Sequence, residues 1–405
     1  MIERARYLDI WNELEPHRQM VFISGPRQAG KTTLTEQIRA RFANSLYINW
    51  DESEHRRLLV SNPHFYEEID RVDTSRPLVV LDELHKYPDW KNYLKGMYDR
   101  DSHHFKFLVS GSGRLDAFQK GGDSLAGRYF LFYLWPFTLG ELSGRIKKTE
   151  DFWHNPLDVP EEHGEDRDIW EALDRVSGFP DPFTNGTERY YRIWSRNYRN
   201  QLLRDELRDL AEIRKFTRAD LLYALLPERV GNPLSMHSLA GDIQVSSDTI
   251  KNWLAWFDQL FLSFRINPWS QKIPRAIRKE KKLYLYDYGS IESEGVRLEN
   301  RVAVELWRAV HNWNDLGMGE YSLHFLRNKQ GEEVDFLICD RNRPKLLIEV
   351  KVNETKPDTS LRKFQTLLQI PAIQLVDKQG ICRLLSNEAQ KIMVVSASRY
   401  LSALP

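Results

Sequence analysis

The stretch VFISGPRQAGKTTLTEQI, residues 21–38, constrains this chain more than any other. An apolar run ends at Gly25, the spacing Gly25-Pro-Arg-Gln-Ala-Gly30-Lys31-Thr32 follows, and a segment of helical character continues from it. This is G-x-x-x-x-G-K-[ST] in the strand-turn-helix context that its chemistry requires. The glycines let the backbone from Gln28 and Ala29 through Gly30, Lys31, Thr32 and Thr33 curl so that N–H groups converge on an anion, and the helix adds the positive end of its dipole. In such a loop the lysine, here Lys31, reaches the β- and γ-phosphates of a nucleotide and the hydroxyl, here Thr32, holds Mg²⁺. The expected fold is α/β.

Two more apolar runs extend that expectation. RPLVVLDELHKYPDW carries a continuous run ending in Asp82 and Glu83, and FKFLVSGSGRL ends in Ser110-Gly111-Ser112. Runs without polar alternation suit strands buried on both faces of a parallel sheet, and ligands bind at the carboxyl ends of such strands. Asp82 is then placed to hold Mg²⁺ through water, Glu83 to polarise the attacking water, and Ser112 to sense a γ-phosphate.

At 405 residues, and taking about 150 per domain as a prior, the chain has room for two to four domains. With 58 basic and 58 acidic residues, any affinity for nucleic acid must come from local patches. Two cysteines, Cys339 and Cys382, supply neither a disulfide framework nor a zinc cluster. The first 20 residues lack the apolar core of a signal peptide, and the longest apolar run, YFLFYLWPF, falls far short of the roughly 20 residues that cross a bilayer. A cytoplasmic protein without membrane association is expected.

With the three apolar runs in hand, the chain resembles the AAA+ ATPases. More narrowly, it resembles the prokaryotic family that joins such an ATPase (AAA_14 type) to a C-terminal region of unassigned function (DUF4143 type). The wording SLAGRYFLFYLWPFTLGEL is similar to that family's signature after the third strand. The resemblance implies that Arg128 acts as an arginine finger or sensor, with Arg114 a second candidate. A finger offered to a neighbouring copy demands a homo-oligomer, whereas one used within the chain does not.

The segment from 147 to 215 reads as a connection and helical lid, with SGFPDP and a long helix rich in tyrosine and arginine. Residues 216–275 have the grammar of a winged helix-turn-helix. Ser246 and Ser247 can cap its second helix, whose apolar stripe is Ile250, Leu254, Phe257 and Leu260. Such helices enter the major groove, yet Asp248 and Asp258 accompany a single lysine, Lys251, so DNA contact and packing against a partner both stay open. The stretch RINPWSQKIPRAIRKEKK, with seven basic residues, one glutamate and Trp269, reads either as a nucleic-acid footprint or as a solvated loop.

The last quarter contains KLLIEVKV and GEEVDFLI. Alternation along a strand places Glu349 and Lys351 on one face with Leu347, and Asp335 on one face with Glu333 and Leu337. If the two strands form a hairpin, Asp335 lies beside Glu349. Glu299, on the preceding helix, shares a stripe with Ala303, Leu306 and Val310. Paired carboxylates followed by a lysine form a setting for Mg²⁺ or Mn²⁺. Together Glu299, Asp335 and Glu349-Val-Lys351 resemble the PD-(D/E)xK nuclease fold, with Val334 where the motif's proline would stand. Gln365 is a further polar candidate.

The sequence thus divides into a P-loop ATPase core at 1–146, a lid at 147–215, a winged helix at 216–275 and a nuclease-like domain at 276–405. The expected cofactors are ATP and Mg²⁺, with a second metal at the C-terminal site. The expected activity is ATP hydrolysis, with Lys31, Glu83 and Arg128 catalytic, coupled to binding, remodelling or Lys351-dependent cleavage of DNA. A nucleotide-dependent switch that binds protein partners through an inactive nuclease-like domain is the alternative.

Overall fold

The computed structural model describes residues 2–112, 125–206, 216–270, 280–386 and 391–405. The chain divides into two compact units, Met1–Pro136 and Phe137–Pro405.

The first unit is a parallel sheet of β1 (Met20–Ser24), β2 (Ser45–Asn49), β3 (Leu78–Asp82), β4 (Lys106–Ser110) and β5 (Tyr129–Tyr133), in the order β2-β3-β4-β1-β5. Around it stand α1 (Ala5–Leu14), α2 (Lys31–Arg39), α3 (Ser53–Ser61) and α4 (Trp90–Asp101). Every residue of β1, β3 and β4 is buried, which is why these strands read as unbroken apolar runs. Phe22, Val79, Leu81 and Phe107 from the strands meet Trp90 and Leu94 from α4 in the core. Because the strands are parallel, the residues after β1, β3 and β4 all emerge at one edge of the sheet. The first residue of β4, Lys106, is fully buried; burial pulls its pKa down to about 8, and its ammonium donates to the carbonyls of His17 and Gln19, both at 2.9 Å.

The second unit begins with helices α5 (Leu139–Ser143), α6 (Thr149–His154), α7 (Gly164–Val176), α8 (Pro180–Asn185) and α9 (Glu188–Gln201). Next come α10 (Phe216–Leu225), α11 (Met236–Ile243) and α12 (Ser247–Gln259). The Ser246 hydroxyl accepts the Thr249 N–H at 3.1 Å and so caps α12, while Ile250, Leu254, Phe257 and Leu260 are buried as their spacing requires.

An eight-stranded sheet follows, built from β6 (Ser263–Pro268), β7 (Lys282–Leu285), β8 (Tyr321–Arg327), β9 (Glu333–Asp340), β10 (Arg343–Lys351), β11 (Ala372–Val376), β12 (Cys382–Ser386) and β13 (Lys391–Ser396). Its order is β12-β13-β11-β10-β9-β8-β6-β7. Helices α13 (Glu294–Asp315) and α14 (Thr359–Leu368) flank it, and α15 (Ala397–Leu401) ends the unit. Leu337, Leu347, Leu361 and Phe364 pack together beneath α14. β6 pairs antiparallel with β7 and parallel with β8. The boundary expected between 275 and 276 therefore separates two strands that share a ladder, and hydrogen bonding makes them one sheet with the C-terminal strands. The boundary expected after 146 lies ten residues beyond the division at Pro136 and Phe137.

Candidate functional site

The loop after β1 turns through three positive φ angles, at Gly25 (144°), Gln28 (60°) and Gly30 (96°). A Cβ on Gly25 would stand 2.2 Å from the carbonyl oxygen of Leu134, so no side chain fits there. Ala29 is buried, and its carbonyl accepts from Arg4 Nη1 at 2.9 Å, while Arg4 Nη2 donates to the Trp135 carbonyl at 2.7 Å. One buried guanidinium thus ties the loop to the segment leaving β5. Lys31 opens α2 and is 7% exposed; its ammonium donates to the carbonyls of Gly25 (3.0 Å) and Pro26 (2.8 Å). Thr32 and Thr33 follow in the first turn of α2.

Asp82 ends β3 with 3% exposure and gathers four donors. Thr32 and Tyr47 donate their hydroxyls to Oδ2 at 3.1 and 2.8 Å, and Oδ1 accepts from the Ser110 hydroxyl and from the Glu83 N–H at 3.1 Å. Burial and the Asp82 charge push the Tyr47 phenol far above its ordinary range. A carboxylate and a threonine hydroxyl are hard oxygen donors of the kind Mg²⁺ selects, so this pair fits that ion.

Glu83 adopts a left-handed backbone conformation, φ 55°, and its Oε2 lies 3.1 Å from Lys86 Nζ and 3.8 Å from His85 Nε2. Although burial pulls Lys86 down, Asp51 and Glu83 hold it above the ordinary lysine range. Ser112 is buried, with Oγ 3.4 Å from His85 Nε2. Asp51, Lys86, Glu83, His85 and Ser112 therefore form one line of polar contacts beside Asp82. Sequence reasoning passed over Tyr47, His85 and Lys86; the HKY following the two acids was the available signal for the last two.

In the second unit β9 and β10 pair antiparallel, with Phe336 opposite Ile348. That register brings Asp335 against Glu349: Asp335 Oδ2 accepts the Val350 N–H at 2.9 Å, and the Asp335 N–H donates to Glu349 Oε2 at 3.3 Å. Lys351 Nζ sits 2.8 Å from Glu349 Oε1 and 3.1 Å from Asp358 Oδ2. Glu299 is brought to the same place, but a residue that sequence reasoning left in the basic stretch stands among these acids. Lys282 Nζ lies 2.6 Å from Glu333 Oε1, 3.1 Å from Glu299 Oε1 and 3.7 Å from Asp335 Oδ1, with 1% of its side chain exposed. The Tyr284 hydroxyl donates to Glu299 Oε1 at 2.8 Å.

Comparison with known proteins finds three successive matches along the chain. Residues 17–143 match the model of an AAA domain, 168–293 that of a domain of unknown function, DUF8612, and 294–400 that of another, DUF4143. The N-terminal part of the chain is thus similar to an AAA domain and the C-terminal part to a DUF4143 region, with the DUF8612 match between them. An uncharacterized protein of Mycobacterium tuberculosis is 24% identical over 370 residues, covering 88% of this chain and 76% of the relative. One of Methanocaldococcus jannaschii is 22% identical over 374 residues, covering 89% and 81%. Among solved structures, AMPPCP-bound DnaA from Aquifex aeolicus gives a TM-score of 0.31 at 12% identity, covering 63% of this chain and 86% of that one. Drosophila ORC bound to DNA gives 0.29 at 11%, covering 69% and 91%.

The C-terminal carboxylates do not fit a metal centre. Five of them, Glu299, Glu333, Asp335, Glu349 and Asp358, face the ammonium groups of Lys282 and Lys351. Among the described residues no group of three or more His, Cys, Asp or Glu side chains is arranged to hold a metal ion. Burial and the Asp335 charge raise Glu299 to about 7 and Glu349 to about 8, so both carboxyls resist ionising. Lysine and a raised carboxyl pKa meet the excess of buried negative charge, and among the described residues the expected second Mg²⁺ or Mn²⁺ is offered no group of three or more such ligands.

Other expected residues lie elsewhere. Arg128 immediately precedes β5, and its carbonyl accepts the N–H of Met20, the first residue of β1. That is the end of the parallel sheet opposite the phosphate loop. There it pairs with Asp99 at 2.8 and 3.2 Å, so within its own unit it does not reach the loop. Arg114 lies outside the described residues. Gln365 is buried and donates to the Ile370 carbonyl at 3.2 Å, a local tie at the end of α14. Asp258 turns toward Arg265 Nη2 at 2.6 Å, so it does not decorate an open face of α12. Arg265 and Lys282, the two ends of the basic stretch, are thus both engaged by carboxylates; its residues 271–279 lie outside the described ones. No helix among the described residues is long and apolar enough to cross a membrane.

Proposed function

We propose that this chain is a Mg²⁺-dependent ATP hydrolase whose nucleotide cycle drives a C-terminal unit that binds or remodels DNA without cutting it. The observation that carries the ATPase reading is the convergence of Lys31, Thr32, Asp82 and Ser110 at one sheet edge. Backbone N–H groups of residues 28–33 and the Lys31 ammonium bind the phosphates; Thr32 and Asp82 hold Mg²⁺, which neutralises charge on the β- and γ-oxygens when bound. Lys31 exchanges its two loop carbonyls for phosphate oxygens on binding. Glu83 orients the attacking water once Lys86 shifts toward Asp51, with which it already pairs at 2.6 Å. Ser112 reads the γ-phosphate through its place beside His85.

The DNA reading rests on the order α10-α11-α12-β6-β7, three helices followed by a paired hairpin, which is that of a winged helix. Absence of cleavage follows from the lysine-filled carboxylate cluster. A second reading, a switch that binds protein partners, is favoured by the inward engagement of Arg265 and by Lys251 being the sole cation of α12.

The test is ATP turnover by the full chain with single-stranded, duplex, forked and four-way-junction DNA at low salt. Stimulation by at least one form, absent in Lys31→Ala, with no strand scission in Mg²⁺ or Mn²⁺, is expected. Turnover without any response across the panel would replace DNA by a protein partner, and full turnover by Lys31→Ala would remove the ATPase assignment.

A further inference from the structure

A cavity of about 740 Å³ opens in the second unit, and every described residue that lines it belongs to Phe137–Pro405. Its size is that of pockets which hold small-molecule ligands. One wall is α9, which contributes Arg192, Arg196 and Arg199 from successive turns. At about 1.5 Å of rise per residue, these three guanidinium-bearing positions span roughly 10 Å along the helix. Arg192 pairs loosely with the exposed Glu188 at 3.3 Å and Arg199 stands 4.0 Å from Asp220. Arg196 is exposed and makes no ion pair or hydrogen bond with the described residues.

The floor is built and closed. Asp287 is buried and accepts the hydroxyls of Tyr191 and Ser195, so its charge is covered from within the lining. Gly289 presses on the same tyrosine: a Cβ there would fall 2.0 Å from Tyr191 Oη, so the chain passes over the ring with no room for a side chain. The lining also runs through Ser290 and Ser293 into Val296, in the first turn of the 22-residue α13, whose positive dipole end adds to the arginine charge. Two carboxylates, Glu228 and Glu292, also line the cavity and are solvent-exposed.

We infer that this cavity is a second anion site, separate from the phosphate loop, for a ligand that presents two or more phosphate groups in a row. Guanidinium groups bind phosphate oxygens in paired hydrogen bonds, and a row of three on one helix face matches a row of charges. Such a row occurs in the tail of a nucleotide and along a nucleic-acid strand. The inference does not depend on ATP hydrolysis or on DNA as the final substrate.

The experiment uses the full chain carrying Lys31→Ala, which disables the first phosphate site, and titrates it by calorimetry with tripolyphosphate and with a short single-stranded oligonucleotide. Adding Arg196→Ala is expected to weaken at least one ligand about tenfold, since a charge-assisted contact to phosphate is lost. Arg189→Ala, also on α9 but outside the lining, is expected to leave it unchanged. Loss confined to tripolyphosphate assigns the site to a nucleotide tail, and loss confined to the oligonucleotide assigns it to a strand. No binding of either ligand, or equal binding with and without Arg196, would overturn the site. Arg196 is exposed, and a urea melt of each variant separates loss of binding from unfolding.

Discussion

Lys282 Nζ lies 3.1 Å from Glu299 Oε1 with only 1% of the lysine side chain exposed, so an ammonium of the chain itself occupies the centre of the C-terminal carboxylate cluster. Replacing it by methionine strands Glu299, Glu333 and Asp335 without their shared cation. Lys282→Met is expected to cost about 3 kcal/mol in a urea melt at pH 8, with the loss shrinking toward pH 5 as the carboxylates take up protons. A loss that does not change with pH would show that packing of the alkyl chain, not charge, holds the site.

Arg4 reaches across the first unit to the carbonyls of Ala29 and Trp135 at 2.9 and 2.7 Å. Arg4→Met leaves two buried carbonyls without this donor. It is expected to lower stability by about 2–3 kcal/mol and to weaken ATP binding roughly tenfold, by loosening the loop and not by removing a phosphate contact. Unchanged nucleotide affinity in a folded variant would separate Arg4 from the site.

Arg128, half-buried, pairs with the exposed Asp99 at the far end of the sheet. Arg128→Ala is expected to leave both the melt and the nucleotide Kd of the chain unchanged within error. If Arg128 serves a neighbouring copy, wild-type turnover per chain rises with protein concentration and the variant's does not. A large loss of nucleotide affinity in dilute Arg128→Ala would contradict its placement.

Glu305 is buried on α13, accepts the Leu139 N–H at 2.8 Å, and burial raises it to about 7 despite Arg308 nearby. The folded state therefore keeps a proton that the unfolded chain releases near pH 4.5. Its contribution is complete below pH 4.5 and is lost as pH rises through 7. Glu305→Gln keeps an acceptor for Leu139 and cannot ionise. The stability of wild type relative to this variant is expected to fall by on the order of 3 kcal/mol across that window in urea melts at several pH values. A constant difference would place the proton elsewhere.

The turn at Gly25 to Thr32, the buried strands β1, β3 and β4, and the capped α12 were legible because each follows from backbone geometry or apolar period over a few residues. The nearness of Asp335 and Glu349 belongs with them, since a short hairpin joins their strands and period two sets their facing. Tyr47 on Asp82, Arg4 on Ala29 and Lys282 on Glu333 were not legible; they join positions 35, 25 and 51 residues apart, and nothing local selects the partner. The same holds for Arg128, whose side of the sheet depends on strand direction and order. The sequence by itself determined an α/β unit with a glycine-rich loop and a carboxylate-bearing hairpin, because short-range sterics and alternation dictate both. Only the tertiary structure decided that a lysine fills the carboxylate cluster, that β6 and β7 belong to the C-terminal sheet, and that α9 turns its arginines into a cavity, because those outcomes rest on which distant segments pack together.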